Sequence, residues 1–270
     1  MRKRFAVIGF GAITEEMVRC LELRGELEAL GGVLVRRQRL AEAQHKAAGR
    51  FPVVDDIAAL LDLQAGMVAE CAGHGAMREY ATIVLAHGTE LLCSSAGVLA
   101  DRQFATELAA AGERVWIPSG AVAGIDGLLA ARTAGLRSVT YTSIKPPPAW
   151  RGTPAERLVG AERTTFFEGS AREAAMLYPQ NVNVGATVSL AGLGLDRTRV
   201  RLVSDPAAGG PLGIIEAEGD FGSLRFEILA YASPRNPKTS LLTAHSMLIA
   251  LREGVCFSVQ LSDLTTVASP

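Results

Sequence analysis

The sequence predicts an α/β protein: a doubly wound parallel sheet followed by a second α+β domain carrying a mostly antiparallel sheet. Three observations carry this. The apolar run Phe5-Ala6-Val7-Ile8 breaks at Gly9 and Gly11 and passes at once into a helical pattern. Short apolar runs then alternate with helical stretches as far as Ile117. Beyond Leu136 the apolar period falls to two, as in Leu224, Phe226 and Ile228.

The opening turn has the form of a phosphate-binding loop. Gly9 permits a sharp backbone turn, and the missing side chain of Gly11 lets a pyrophosphate approach the N–H groups that open the next helix, Ile13 among them. Thr14 holds the third fingerprint position, where glycine or alanine is usual. The first helix covers Glu15 to Leu23 and Gly25 ends it; a second strand, Gly32 to Val35, runs into Arg36-Arg37. Arginines there suit the 2′-phosphate of NADP, or dual use of NAD and NADP; the alternative is a solvated strand end.

Helices are expected over Leu40–Ala48, Ile57–Leu63 (capped from Asp55-Asp56), Met77–His87 and Phe104–Ala111, with strands at Val53-Val54, Met67–Cys71, Glu90–Cys93 and Val115–Ile117. Small residues recur at the strand ends, in Ala72-Gly73-His74-Gly75 and Ser94-Ser95-Ala96-Gly97, where such a sheet exposes its ligand crevice. Ala72 is accordingly placed on the cofactor side, and His74 is read as a loop residue. The small-residue loop from Pro118 to Gly127 marks a change of regime and leads into a helix from Leu128.

The second half offers strands at Val139–Ser143, Val200–Ser204, Gly213–Gly219 and Ser223–Leu229, covered by helices Ser170–Leu177 and Val182–Leu193. Asn236-Pro-Lys-Thr-Ser240 reads as an exposed helix entry before Leu241–Leu251, gathering N–H groups, hydroxyls and the Lys238 charge. Lys238, Thr239 and Ser240 therefore make a candidate carboxylate site; a plain capped helix is the other reading. The resulting division is 1–118 for dinucleotide binding, 119–235 for a second α+β domain, and 236–270 for a terminal helix.

Composition bounds the function. The 270 residues are 49% hydrophobic and 20% charged with a net charge of −1, which favours a small-molecule ligand over nucleic acid or an anionic membrane. Cys20, Cys71, Cys93 and Cys256 form no C-x-x-C pair, which speaks against a metal site or a disulfide scaffold and for reduced thiols in the cytoplasm. No apolar run is long enough to span a bilayer, since Glu90 and Asp126 interrupt the best candidates.

Four ordered blocks then give a resemblance: Ser119-Gly-Ala-Val-Ala-Gly-Ile-Asp-Gly127, Tyr141-Thr-Ser-Ile-Lys-Pro-Pro147, Tyr178-Pro-Gln-Asn-Val-Asn-Val184 and Asn236-Pro-Lys-Thr-Ser240. Through them the chain resembles the L-aspartate dehydrogenase family from Phe5 to about Arg252. The resemblance implies a Rossmann domain, an α/β domain, here 119–235, supplying the substrate pocket and the contact of a homodimer, a last helix that returns to the first domain, and NAD or NADP as cofactor. It implies oxidation of L-aspartate to iminoaspartate, which yields oxaloacetate and ammonia or enters pyridine-nucleotide synthesis. It also places Ala123 and Asn183 on the family's cofactor-contacting positions.

One departure cuts across this agreement. The family's catalytic histidine falls on Gly213, and the sequence has no histidine between His87 and His245. General acid–base help is typically worth about 10²–10⁴-fold, so another group must supply it or turnover suffers. Lys238 and His245 are the sequence's candidates. A cofactor-binding homologue with impaired catalysis, or a reductase of another small carboxylated imine or carbonyl compound, remain the alternatives.

Overall fold

The computed structural model describes residues 4–233 and 236–266, with the backbone alone at 232, 233 and 236–239. Along the chain run β1 (Phe5–Ile8), α1 (Ala12–Leu23), β2 (Leu30–Leu34), α2 (Leu40–Ala47), β3 (Val53–Val54), α3 (Ile57–Leu61), β4 (Met67–Glu70), α4 (His74–Ala86), β5 (Glu90–Cys93), α5 (Arg102–Ala111) and β6 (Arg114–Pro118). Then come α6 (Ile125–Thr133), β7 (Leu136–Lys145), β8 (Thr164–Ser170), α7 (Ala171–Leu177), α8 (Asn183–Ala191), β9 (Arg199–Ser204), β10 (Leu212–Gly219) and β11 (Gly222–Leu229). The chain closes with β12 (Ala232–Ser233), β13 (Asn236–Ser240), α9 (Leu241–Glu253), β14 (Cys256–Gln260) and α10 (Ser262–Thr265).

The contacts divide the described residues into two compact units, one of residues 4–95, 102–118 and 243–266, the other of 96–101, 119–233 and 236–242. The first unit holds a seven-stranded sheet in the order β14-β6-β5-β4-β1-β2-β3. All of its pairs are parallel except β14 on β6, where Phe257 lies opposite Ile117 and Val259 opposite Val115. The strand order turns back between β1 and β4, which makes that junction the topological switch point. Fully buried strand residues such as Phe5, Val7 and Val33 pack against Met17 and Leu21 of α1 and Met247 and Leu248 of α9.

The second unit holds a five-stranded sheet, β11-β10-β7-β9-β8. Its pairs are antiparallel apart from β7 beside β9. Helix α8 covers one face, burying every residue from Gly185 to Ala191.

Most expected elements are present with ends moved by a few residues. The differences lie where the local pattern is short or polar. Helix α4 begins at His74, which is therefore a helix-opening residue and not a loop residue. Asn236–Ser240 leads directly into α9, as the sequence suggests, but does so as strand β13, paired with β12. Strand β14 adds outside β6 at the sheet edge, a strand that the sequence does not predict.

Candidate active site

The switch point carries the nucleotide cradle. Gly9 follows β1 with φ +101°, and a Cβ there would lie 2.8 Å from the Cβ of Ala72. Only glycine lets these two loops come so close. Gly11 is the N-cap of α1 and makes no side-chain capping bond, so the first-turn N–H groups, that of Ile13 included, have no cap of their own. A Cβ on Gly11 would project into open space. Gly9, Gly11, Arg36 and Ala72 line one groove of about 370 Å³, together with Arg39 and Lys46. An uncapped helix start, a glycine edge and basic side chains are what a dinucleotide's phosphates require, so the residues fit that group.

Thr14, the irregular third position of the fingerprint, is 1% exposed and donates its hydroxyl to the Gly9 carbonyl at 2.7 Å. The hydroxyl thus ties helix to turn, and the departure from glycine strengthens the motif locally.

Glu70, at the end of β4, belongs to the site although no local sequence motif marks it. It is 0% exposed, and one carboxylate oxygen accepts from the N–H groups of Ala72 at 2.7 Å and Gly73 at 2.5 Å. The other accepts from Ser95 N–H at 3.2 Å. Burial pushes its carboxyl pKa up while these N–H groups pull it down. The carboxylate therefore fixes both strand-end loops of the cradle, which explains why Ala72 stands where Gly9 needs it.

The two arginines part company. Arg36 lines the groove beside Tyr80, whose hydroxyl feels its charge, and has no carboxylate partner among the described residues. Arg37 is 93% exposed at its side chain, lies outside the groove lining and reaches Asp55 at 3.8 Å. Arg39 is bonded to Glu42 at 2.7 and 2.9 Å and Lys46 to Glu15 at 3.1 Å, which leaves Arg36 as the groove's uncommitted guanidinium.

In the second unit, Ala123 is exposed in the loop ahead of α6. Its neighbour Gly124 has φ +78°, and a Cβ there would meet the Phe226 ring at 2.4 Å, so the loop's path is set by β11. Asn183 opens α8, and its side-chain oxygen accepts from Gly97 N–H at 3.0 Å. Gly213 lies opposite Ser143 in the β10–β7 ladder. A Cβ on Gly213 would sit 3.2 Å from the Tyr141 hydroxyl, so this strand position is bordered by a phenol. Tyr141 is buried, and burial pushes its pKa up to about 12.

Two strand positions beyond Ser143, on the face shared with Tyr141, is Lys145. Its Nζ donates to the Asn181 carbonyl at 3.2 Å and lies 5.2 Å from the centre of the Trp150 ring. No carboxylate pairs with it among the described residues. Burial alone lowers its pKa to about 8. Alternation along Tyr141-Thr-Ser-Ile-Lys145 is the signal for it: a cation in phase with the covered face of a strand.

Of the C-terminal candidates, Ser240 is half-buried and its Oγ accepts from Leu242 N–H at 3.2 Å, a local cap of α9. The side chains of Lys238 and Thr239 lie outside the described residues. His245, on α9, belongs to the first unit, where Nδ1 is 3.9 Å from Cys20 Sγ and Nε2 3.6 Å from Glu16 Oε1. Gly213 belongs to the second unit. Arg19 already bonds Glu16 at 2.6 and 2.9 Å, and pulls its carboxyl below the usual range.

A doubly wound sheet with an uncapped glycine turn at its switch point, joined to a mixed-sheet unit, defines a Rossmann-type dinucleotide-binding protein. Residues 9–115 match the family described as homoserine dehydrogenase, NAD binding domain, and residues 126–254 match aspartate dehydrogenase, C-terminal. The L-aspartate dehydrogenase of Acinetobacter baumannii is 40% identical over 94% of this chain and 98% of its own. That of Pseudomonas aeruginosa is 41% identical over 91% of this chain and 95% of its own. Among solved structures, aspartate dehydrogenase from Thermotoga maritima superposes with a TM-score of 0.71 at 27% identity, covering 94% of this chain and 97% of that one. The chain belongs to the L-aspartate dehydrogenase family.

Proposed function

We propose that this protein is an NAD(P)-dependent amino-acid dehydrogenase that converts L-aspartate to iminoaspartate, and so to oxaloacetate and ammonia, or runs the reverse. The observation that carries the reading is 40% identity to L-aspartate dehydrogenases across nearly the whole of both chains. The cradle at Gly9 and Gly11 supports it from the structure.

In this reading the first-turn N–H groups of α1, that of Ile13 included, hold the pyrophosphate, and Ala72 bounds its path. Ala123 and Asn183 meet the nicotinamide, with the Gly97 N–H fixing which way the Asn183 amide points. The nicotinamide, when bound, takes up hydride from the substrate's Cα. Lys238, Thr239 and Ser240 hold a substrate carboxylate. Arg36, uncommitted at the groove, supports acceptance of NADP as well as NAD; Arg37, with its Asp55 contact, contributes less. Work as a homodimer in the cytoplasm completes the reading; the family resemblance supports the first, and the described cysteines, all free thiols, accord with the second.

The test is spectrophotometric. Purified protein with NAD or NADP and L-aspartate, or with reduced cofactor, oxaloacetate and ammonia, is expected to change absorbance at the reduced-nicotinamide band. Absence of turnover in both directions overturns the reading. Gly213 favours a second one, a homologue that binds cofactor and has lost the chemistry; tight cofactor binding with no turnover would select it. Restoring an imidazole by Gly213→His is a poor probe of that case, because the new Cβ crowds the Tyr141 hydroxyl at 3.2 Å.

A further inference from the structure

The family position of the catalytic histidine is Gly213, so the groups around that glycine are the ones able to move a proton in its place. On the same face of the sheet stand three: the Tyr141 hydroxyl, 3.2 Å from the Gly213 Cβ position; Ser143, directly opposite Gly213; and Lys145. Lys145 is the diagonal neighbour of Gly213 across the β10–β7 ladder, an offset of about 7 Å between Cβ positions, and its amine rests on the Asn181 carbonyl.

We propose that the Lys145 amine is the proton acceptor for the substrate's ammonium group in this chain, taking over the work of the absent imidazole. This rests on the dehydrogenase reading above and names the acid–base group of that same site.

The surroundings suit an amine that gives and takes a proton. The Asn181 carbonyl orients Nζ with one hydrogen bond, leaving its other donor positions without a partner among the described residues. Asn181 lies two residues before Asn183, the position of the family's cofactor contact, so the amine sits at the head of α8. The elements packed around Lys145 bring few ionisable groups to it. Strand β9 brings Ser204, opposite Lys145 in register, and apolar Leu202 and Val200 further along that face. Trp150 contributes its ring, and the ring of Tyr178 stands 6.5 Å beyond it. Asp205, next along the chain from Ser204, turns its carboxylate to Ala207 N–H at 2.9 Å and Arg163 at 3.6 Å. Burial, with no charged partner, thus sets the amine's pKa near 8, while Tyr141 is held at about 12. Of the three groups, only Lys145 exchanges a proton easily at neutral to mildly alkaline pH.

Atoms and electrons balance in this step. Neutral Lys145 accepts one proton from the substrate ammonium: an N–H bond of the substrate breaks and an Nζ–H bond forms. The freed amine lone pair forms the C=N bond as the Cα hydrogen leaves with its electron pair for the oxidised nicotinamide, the oxidant. In reductive amination the Lys145 ammonium returns the proton.

The experiment compares wild type, Lys145→Arg and Lys145→Ala. In wild type, kcat/KM for L-aspartate is expected to fall tenfold per pH unit below about 8. Lys145→Arg keeps a cation and loses the titration, and is expected to lose at least 100-fold at pH 8 while binding reduced cofactor within twofold of wild type. Small primary amines in the buffer are expected to rescue Lys145→Ala in proportion to their basicity, which a structural role would not produce. Titration of [15N]lysine-labelled protein, read by NMR without any turnover, is expected to show one amine with a midpoint near 8 that Lys145→Arg removes. Arginine retaining activity within tenfold of wild type with the acidic limb unchanged overturns the proposal, as does a Lys145 midpoint above 10. Wild type without turnover overturns the dehydrogenase reading itself, a result distinct from either.

Discussion

Half-buried Lys145 and fully buried Glu70 are ionisable groups of opposite kinds. A lysine whose folded-state pKa is lowered has released a proton that the unfolded chain still holds. Between about 8 and the ordinary lysine value the unfolded state binds more protons, so Lys145 makes stability rise with pH across that window and weighs against folding below it. Lys145→Met is therefore expected to raise Tm at pH 7 and flatten that rise, read by thermal melts at several pH values, while turnover is lost. Glu70 instead holds structure together, since three N–H groups depend on it. Glu70→Ala is expected to destabilise by about 2–4 kcal/mol by leaving buried donors unpaired, and to weaken cofactor binding, as denaturant melts and a cofactor titration would show. Arg36→Ala is expected to raise KM for NADP at least tenfold over its effect on KM for NAD; equal effects would remove Arg36 from the 2′-phosphate. Gly9, Gly11 and Arg36 are readable in the sequence because the fingerprint ties them to local turns. Glu70 is not, since its partners at 72, 73 and 95 meet only when two strand ends lie side by side.

Among the elements, the loop between β1 and α1 tolerates little change at Gly9. Gly9→Ala places a left-handed backbone on a residue that resists it and drives a methyl group against Ala72, at a cost of more than about 2 kcal/mol. The variant is expected to lose cofactor binding even where it folds, checked by calorimetric titration beside a circular dichroism spectrum. Elements with a strong period are legible. The alternation from β1 to β6, and the in-and-out pattern of β10 and β11, come directly from the spacing of apolar residues. Four strands escape; β12 is only two residues long, and the other three escape for physical reasons of their own. Strand β8, Thr164–Ser170, has no fully buried residue to mark a face. Strand β13 is made of Asn, Pro, Lys, Thr and Ser, the composition of a turn. Strand β14 has only Phe257 and Val259 to show its alternation, and comes soon after a helix.

At the scale of the whole molecule, the first unit is assembled from three separate stretches of chain, the third of them residues 243–266. That third stretch is structural, because Met247 and Leu248 are 0% and 1% exposed in the unit's core and β14 covers the edge of β6. A truncation ending at Pro118 is expected to lack a cooperative thermal transition, and the same truncation fused through a short linker to residues 243–266 is expected to recover one. The sequence suggests a terminal helix, and the family resemblance implies that it returns to the first unit. It does not disclose that a strand comes with it, because edge pairing depends on which partner the sheet leaves exposed.

This interrupted path bears on how the protein is made. A nascent chain leaving the ribosome carries the glycine turn early, yet the sheet edge and core helix that complete the surrounding unit are translated only after the whole second sheet. Messages cut short by a premature stop therefore yield fragments with exposed aliphatic surface, suited to chaperone capture or proteolysis. Quality control is thus built into the order of synthesis, since dinucleotide affinity should mature only once the codons for that returning helix and strand have been read.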